Sequence, residues 1–411
     1  MRPRLPHPFL GCAVMVALAV GAVRAEPTRT LLEVVAEAPA LAAAARRLDA
    51  AKERVGAAGL LPDPEVEGMV SRMIGPMDER NKMYEVNLRQ PLPKRGELSA
   101  RRELAQAGAA MATADYAAMA GELAAETAMA LAEAENGLAR IRLQETQIGR
   151  LDAVLRSIET RLATATESRL ADRLTVETRR AAMQLMVEED RRMVADALAE
   201  ARGRLGLKPD APLPAYTAPE PGEIDAAAAA AVRLAAAREE EAAAMLKMAK
   251  ATANPMTAVG VRFERERTAM GNEDTLGLAV MSELPWRSRR VSRAEAKAAQ
   301  AERAAAQADG SAAHYRIAAA LTRVERAQRL AEVSRRLSRE TRERLDAEYD
   351  ALIRAASAGR PGESTVLQTV ELLEKATETE LQVLQAELAV QLARAELWRH
   401  LPAGRFSPTA N

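Results

Sequence analysis

Tyr84-Glu85-Val86-Asn87-Leu88-Arg89-Gln90-Pro91-Leu92-Pro93 and Leu276-Gly277-Leu278-Ala279-Val280-Met281-Ser282-Glu283-Leu284-Pro285 are one stretch written twice, 192 residues apart (Pro93 to Pro285). In both, large apolar residues alternate with polar or small ones, the period of a half-buried strand and not of a helix. Each is preceded by a second alternating run, weakly at Val66, Gly68 and Val70 and clearly at Val259, Val261 and Phe263. The correspondence extends outward. Asp63-Pro64 matches Asn254-Pro255, Arg101 and Glu103 match Arg293 and Glu295, and Arg204-Leu205 matches His400-Leu401. The chain is therefore a duplicated unit, and each unit is predicted to hold one β-hairpin, over 65–90 and 257–284.

Around the hairpins the sequence is helical. Segments 31–58 and 226–251 are rich in Ala, Leu, Arg and Glu, strong helix formers, and each stops at an Asp-Pro or Asn-Pro. After each strand pair no proline appears until Pro209 and Pro361. Ile148, Leu151, Leu155, Ile158 and Leu162 alternate spacings of three and four, a coiled-coil seam. A helix over 97–163 would be roughly 100 Å long. Turns are predicted near 164–168 and 358–364, so the first unit spans 26–207 with a helical hairpin over 97–207. The second spans 226–402 with a helical hairpin over 288–402. Residues 208–225, with five prolines, form the linker, and 403–411 a C-terminal tail.

Composition sets the class. Aromatics are 2% of the 411 residues and charged residues 28%, which suits long helices better than a compact enzyme core. Lys plus Arg and Asp plus Glu are both 58, so no net field draws the chain to nucleic acid. Residues 1–25 read as a signal peptide: Arg2 and Arg4, an apolar run over 9–20 too short to span a bilayer, and the small-residue site Val23-Arg24-Ala25. Cys12, the single cysteine, lies inside it, so the mature chain has no thiol. Leu10-Gly11-Cys12 resembles a lipoprotein box, but the apolar run follows the cysteine where it should precede it.

Four short strands cannot bury a core alone, and an isolated sheet exposes unpaired edges; closure by oligomerisation removes them. A sheet apolar on one face and polar or small on the other fits a barrel with lipid outside and water inside. Tyr84, Val86, Leu88, Val259, Val261, Phe263, Leu276, Leu278 and Val280 are its expected lipid-facing residues.

Pro62-Asp63-Pro64 before a strand pair, Gln90-Pro91-Leu92-Pro93-Lys94-Arg95-Gly96-Glu97-Leu98 before a long helix, and the terminal Ala395-Glu396-Leu397-Trp398 resemble the TolC-type outer-membrane efflux proteins. The resemblance covers nearly the whole mature chain. It implies a mainly α protein with a small β part, a homotrimer with a twelve-stranded barrel in outer-membrane lipid, and a helical tunnel reaching into the periplasm of a Gram-negative cell. Its partners would be a periplasmic adaptor and a proton-driven inner-membrane efflux pump; the Gln90 to Gly96 segment is closer to the heavy-metal branch, so metal cations are a candidate cargo. By position, Thr166, Ser168, Leu170, Glu363, Ser364 and Val366 would contact the adaptor at the hairpin tips, and Asp172, Gln368 and Glu371 are gate candidates. The chain departs from the family at the first tip, which lacks a glycine, and at Gln368, where an aspartate is expected.

Other features point less far. Met69, Met73 and Met77 are spaced by four and thioethers select copper(I), but methionine also fills gaps in packing. His7, His314 and His400 are too scattered for a zinc or copper site. Arg287, Arg289 and Arg290, with Lys94 and Arg95, follow the strand pairs and suit headgroups, the pore wall or a solvated face. No phosphate-binding glycine loop, HExxH or nucleophile elbow is present, so no cofactor and no catalysis are expected. The rival class is a periplasmic adaptor or coiled-coil scaffold, disfavoured by the duplication.

Overall fold

A computed structural model describes residues 29–74, 80–163, 170–268, 271–283, 286–357 and 365–406. The signal segment lies outside them. The architecture is mostly helical with one small sheet. In chain order it runs α1 (Leu31–Ala36), α2 (Pro39–Ala57), β1 (Glu65–Ile74), β2 (Arg80–Leu92), α3 (Glu97–Ala163), α4 (Leu170–Leu205), α5 (Ala230–Thr252), β3 (Thr257–Thr268), β4 (Gly271–Ser282), α6 (Ser288–Ser357) and α7 (Thr365–Glu396).

The single helix expected over 31–58 is two. Thr30 caps α1 with a reciprocal capping box to Glu33, and Ala38 then turns extended (ψ 134°) before Pro39, the first residue of α2. The strands run to 10, 13, 12 and 12 residues. All three pairings are antiparallel in the order β1-β2-β3-β4, so β2 and β3 join the two units. The outer edges of β1 and β4 pair with nothing among the described residues.

The helices repeat that order. α3 packs against α2, α4, α5 and α7, and α6 packs against α5 and α7. The result is a wall of four columns, α2 and α4 in the first, then α3, then α5 and α7, then α6, with no helix packed outside the first or last column among the described residues. Alanines set the close spacing. Ala100, Ala107, Ala114, Gly121 and Ala128 on α3 are buried at intervals of seven, as are Ser292, Ala299, Ala306, Ala313 and Ala320 on α6. α5, between them, has two such seams: Ala230, Ala237, Ala244 and Ala251, and Ala235, Ala242 and Ala249. A strict seven-residue repeat gives left-handed supercoiling, and small side chains let backbones approach.

The largest core lies at mid-height. There α1, the linker and the chain end clasp α3, with Leu31, Val35, Leu41, Tyr116, Trp398, Leu401 and Phe406 packed on Ala117, Ala120, Ala124 and Ala128. Leu31 N–H donates to Ala215 and Ala403 N–H to Ala228, tying linker and tail to the wall. Gly206, at φ +66°, ends α4 in the left-handed turn that glycine favours, and a Cβ there would strike the Pro39 ring at 2.6 Å. Lower down, a polar layer crosses the α3–α4 interface. Asp190, 1% exposed, accepts from Gln144 Nε2 (2.9 Å) and pairs with Arg140 (2.9 Å).

Candidate functional site

The sheet has two chemically opposed faces. Alternation puts residues two apart on the same side, and the register aligns them across strands. Val66, Leu88, Val261 and Leu278 form one row; Gly68, Val86, Phe263 and Leu276 the next; Gln90, Val259 and Val280 a third. All nine residues expected to face lipid lie on this side and are exposed, Leu278 at 89%. So contiguous an apolar surface needs a partner.

The opposite face is the acidic one. Glu85, 7% exposed, accepts from Asn87 Nδ2 (2.6 Å) and Arg262 (3.0 Å), and Arg262 also pairs with Glu264 (2.9 Å). Arg89 lies between Glu65 (3.2 Å) and Glu67 (3.6 Å). Glu266 and Glu273 stand directly opposite one another. Glu65, Glu67, Glu85, Glu264, Glu266 and Glu273 thus share this face with two guanidiniums, Arg89 and Arg262, an excess of carboxylate. Met69 also lies here, opposite Glu85, while Met77 and the Met73 side chain fall outside what is described. Among the described residues no three His, Cys, Asp or Glu side chains are placed to hold a metal ion. None of these charged residues stood out in the sequence as a site; the alternation that found the apolar face contains them, but the register decides which oppose each other.

At the far end of the wall, Thr166, Ser168, Glu363 and Ser364 lie outside the described residues, as does the Val366 side chain. Leu170 opens α4 and is exposed. Asp172 occupies the first turn of α4, half-buried, and Gln368 and Glu371 are exposed on α7. No hydrogen bond or ion pair joins these three among the described residues. The two hairpins meet one to two turns away, through Leu151, Ile158, Val176, Val370 and Leu373 and the Arg179–Glu374 ion pair (3.0 Å). Leu151 and Ile158 belong to the seam read from the sequence; Arg179 and Glu374 carried no signal there.

His400 lies at mid-height, 8% exposed, its Nδ1 without a hydrogen-bond partner. It lines a cavity of about 280 Å³ with Glu122, Arg316, Arg323, Glu396 and Arg399. Burial pushes its pKa below the ordinary value; Glu396 opposes this, and Arg399, Arg323 and Arg316 add to it. Arg323 pairs with Glu396 (2.7 Å) and Arg399 with Glu122 (2.6 Å). Tyr216, from the linker, is pushed up to about 12 by burial and then by Glu135.

No helix among the described residues is long and apolar enough to cross a membrane. Residues 31–201 match the sequence model of the outer membrane efflux protein family. No curated protein matches the chain by sequence. Among solved structures the fold is similar to the outer membrane protein VceC of Vibrio cholerae, at 16% identity and a TM-score of 0.68 over 92% of this chain and 96% of that one. It is similar to the open state of the Neisseria gonorrhoeae outer membrane channel MtrE, at 16% identity and a TM-score of 0.65 over 92% and 89%. The Campylobacter jejuni outer membrane channel CmeC gives 10% identity and a TM-score of 0.66 over 93% and 86%.

Proposed function

From a chain that has the fold of TolC-type outer-membrane efflux channels and matches their family over residues 31–201, we propose a passive exit duct that favours cations. Three copies close their open sheet edges into a twelve-stranded barrel, and their helical walls into a tunnel reaching into the periplasm. The carrying observation is the two-faced sheet. Its apolar rows suit the hydrocarbon of the outer membrane, and its carboxylate-rich face suits a water-filled bore. Strands of 10 to 13 residues are long enough to cross.

The excess of Glu over Arg on the inner face raises the local concentration of cations, as acidic rings do in other pores. This supports metal cations as cargo, the class that the Gln90 to Gly96 segment suggested. Energy and direction come from a proton-driven inner-membrane pump through a periplasmic adaptor. That adaptor docks at the tips around Thr166, Ser168, Leu170, Glu363, Ser364 and Val366, with Asp172, Gln368 and Glu371 narrowing the bore nearby. The adaptor or scaffold reading leaves the apolar sheet face without a role.

The test is a planar-bilayer recording of the detergent-extracted trimer under a salt gradient. A reversal potential on the cation side, moved toward zero by Glu266→Gln with Glu273→Gln, is the expected result. Anion preference, or no conductance from a protein that fractionates with the soluble periplasm, would end this reading.

A further inference from the structure

The apolar sheet face stops at a row of cations. Arg72 on β1 stands opposite Lys82 on β2, and Lys82 opposite Arg267 on β3. By alternation all three project on the side of Val70, Tyr84, Val86 and Phe263, and all three are exposed. The row lies at the strand ends remote from the long helices, close to Ile74 and Arg80 in the first unit and Thr268 in the second.

Sheet stability does not account for it, because like charges directly opposite on neighbouring strands repel. Nor does local pairing: among the described residues none of the three has an ion pair or a side-chain hydrogen bond, whereas Arg265, one row inward, is held by both Asp274 oxygens at 2.7 Å and lies over Phe263 at 5.8 Å. Along β2 the outward residues run Lys82, Tyr84, Val86, Leu88, that is, cation, aromatic with a polar tip, then hydrocarbon. That is the order in which a membrane surface presents headgroup, interface and acyl chain. Neighbouring strands are about 4.8 Å apart, so the row spans roughly 10 Å and presents two guanidinium forks and an ammonium, donors matched to phosphate oxygens.

We propose that Arg72, Lys82 and Arg267 bind the phosphates of outer-leaflet glycolipid, fixing phosphorylated lipid around the outer rim of the barrel. The proposal rests on the channel reading, which puts this face in lipid and the row at the outer leaflet. Lipid phosphate is favoured over free phosphate because the cations border an apolar surface that only a lipid would cover.

The full-length trimer is reconstituted in nanodiscs of phosphatidylcholine containing a minor fraction of bis-phosphorylated lipid A, with a chelator present so that divalent ions cannot bridge. Lipid retained after detergent washing is then counted by mass spectrometry. Lipid A is expected to be retained well above its share of the bilayer. Arg72→Gln/Lys82→Gln/Arg267→Gln should lower that enrichment at least tenfold, with trimer yield and conductance unchanged, while Arg326→Gln/Arg336→Gln on α6 leaves it intact. Arg267→Gln alone should give an intermediate value and covers failure of the triple variant to assemble. No enrichment in the native protein, equal retention by the triple variant, or complete displacement by millimolar inorganic phosphate overturns the proposal. Loss of trimer and conductance in the native protein would instead overturn the channel reading beneath it.

Discussion

His400 combines near-complete burial with an unpartnered Nδ1 and three neighbouring arginines, so the folded chain resists its protonation. With its folded pKa below the unfolded value of 6.5, it has no effect above that pH; as pH falls below 6.5 the unfolded state gains a proton first, and stability is lost until the folded pKa is passed. Thermal midpoints at pH 7.5 and 5 should therefore differ more for the native chain than for His400→Gln; equal differences would dismiss the effect. Asp190→Ala strips Gln144 of its buried acceptor and Arg140 of its counter-ion. Since Arg140 keeps some access to water, a cost of about 2 kcal/mol is expected in chemical denaturation. Neither residue was legible as special in the sequence, where His400 is one scattered histidine and Asp190 carries no signal at all. Their character comes from what packs around them, and that depends on the pairing of distant helices.

Elements were far more legible. Alternation in 84–92 and 276–282 depends on adjacent residues, and so do the proline boundaries, so the strands and long helices followed from local chemistry. The break at Ala38-Pro39 went unread because alanine-rich sequence continues on both sides of it, although a proline there favours an extended preceding residue. The sevenfold alanine seams were hidden by composition: alanine is so abundant that its buried positions do not stand out until the helices are paired. The faces of the sheet give a sharper test. Val261→Lys or Leu278→Lys puts a charge in the middle of the apolar rows, at about 2–4 kcal/mol each if that face meets the bilayer midplane. Protein recovered in the outer-membrane fraction should fall for both, and hold for Thr275→Lys on the opposite face. Equal recovery of all three would mean that the apolar side does not face lipid.

At the scale of the molecule, the described residues leave sheet and helical wall open on the same two sides, at β1 and β4 and along α2, α4 and α6. Such edges follow from the duplication, which supplies an even set of strands and columns but no surface to close them. The copies that the proposed trimer would supply lie beyond one chain's sequence, and the alternating strands point to them only indirectly, through an apolar face that no described residue covers. The proposed closure by identical copies would give the arrangement a genetic meaning. Each barrel would take every strand from every copy, so one chain unable to offer a sound β1 edge spoils the assembly for its two sound neighbours. If such a chain were expressed in equal amount with the native one and mixed freely, only about one trimer in eight would be wholly native. Deleting 65–74 should therefore act dominantly, cutting export in a cell that still makes the intact protein to well below half; export at half the native level or more would mean that chains are screened before they assemble.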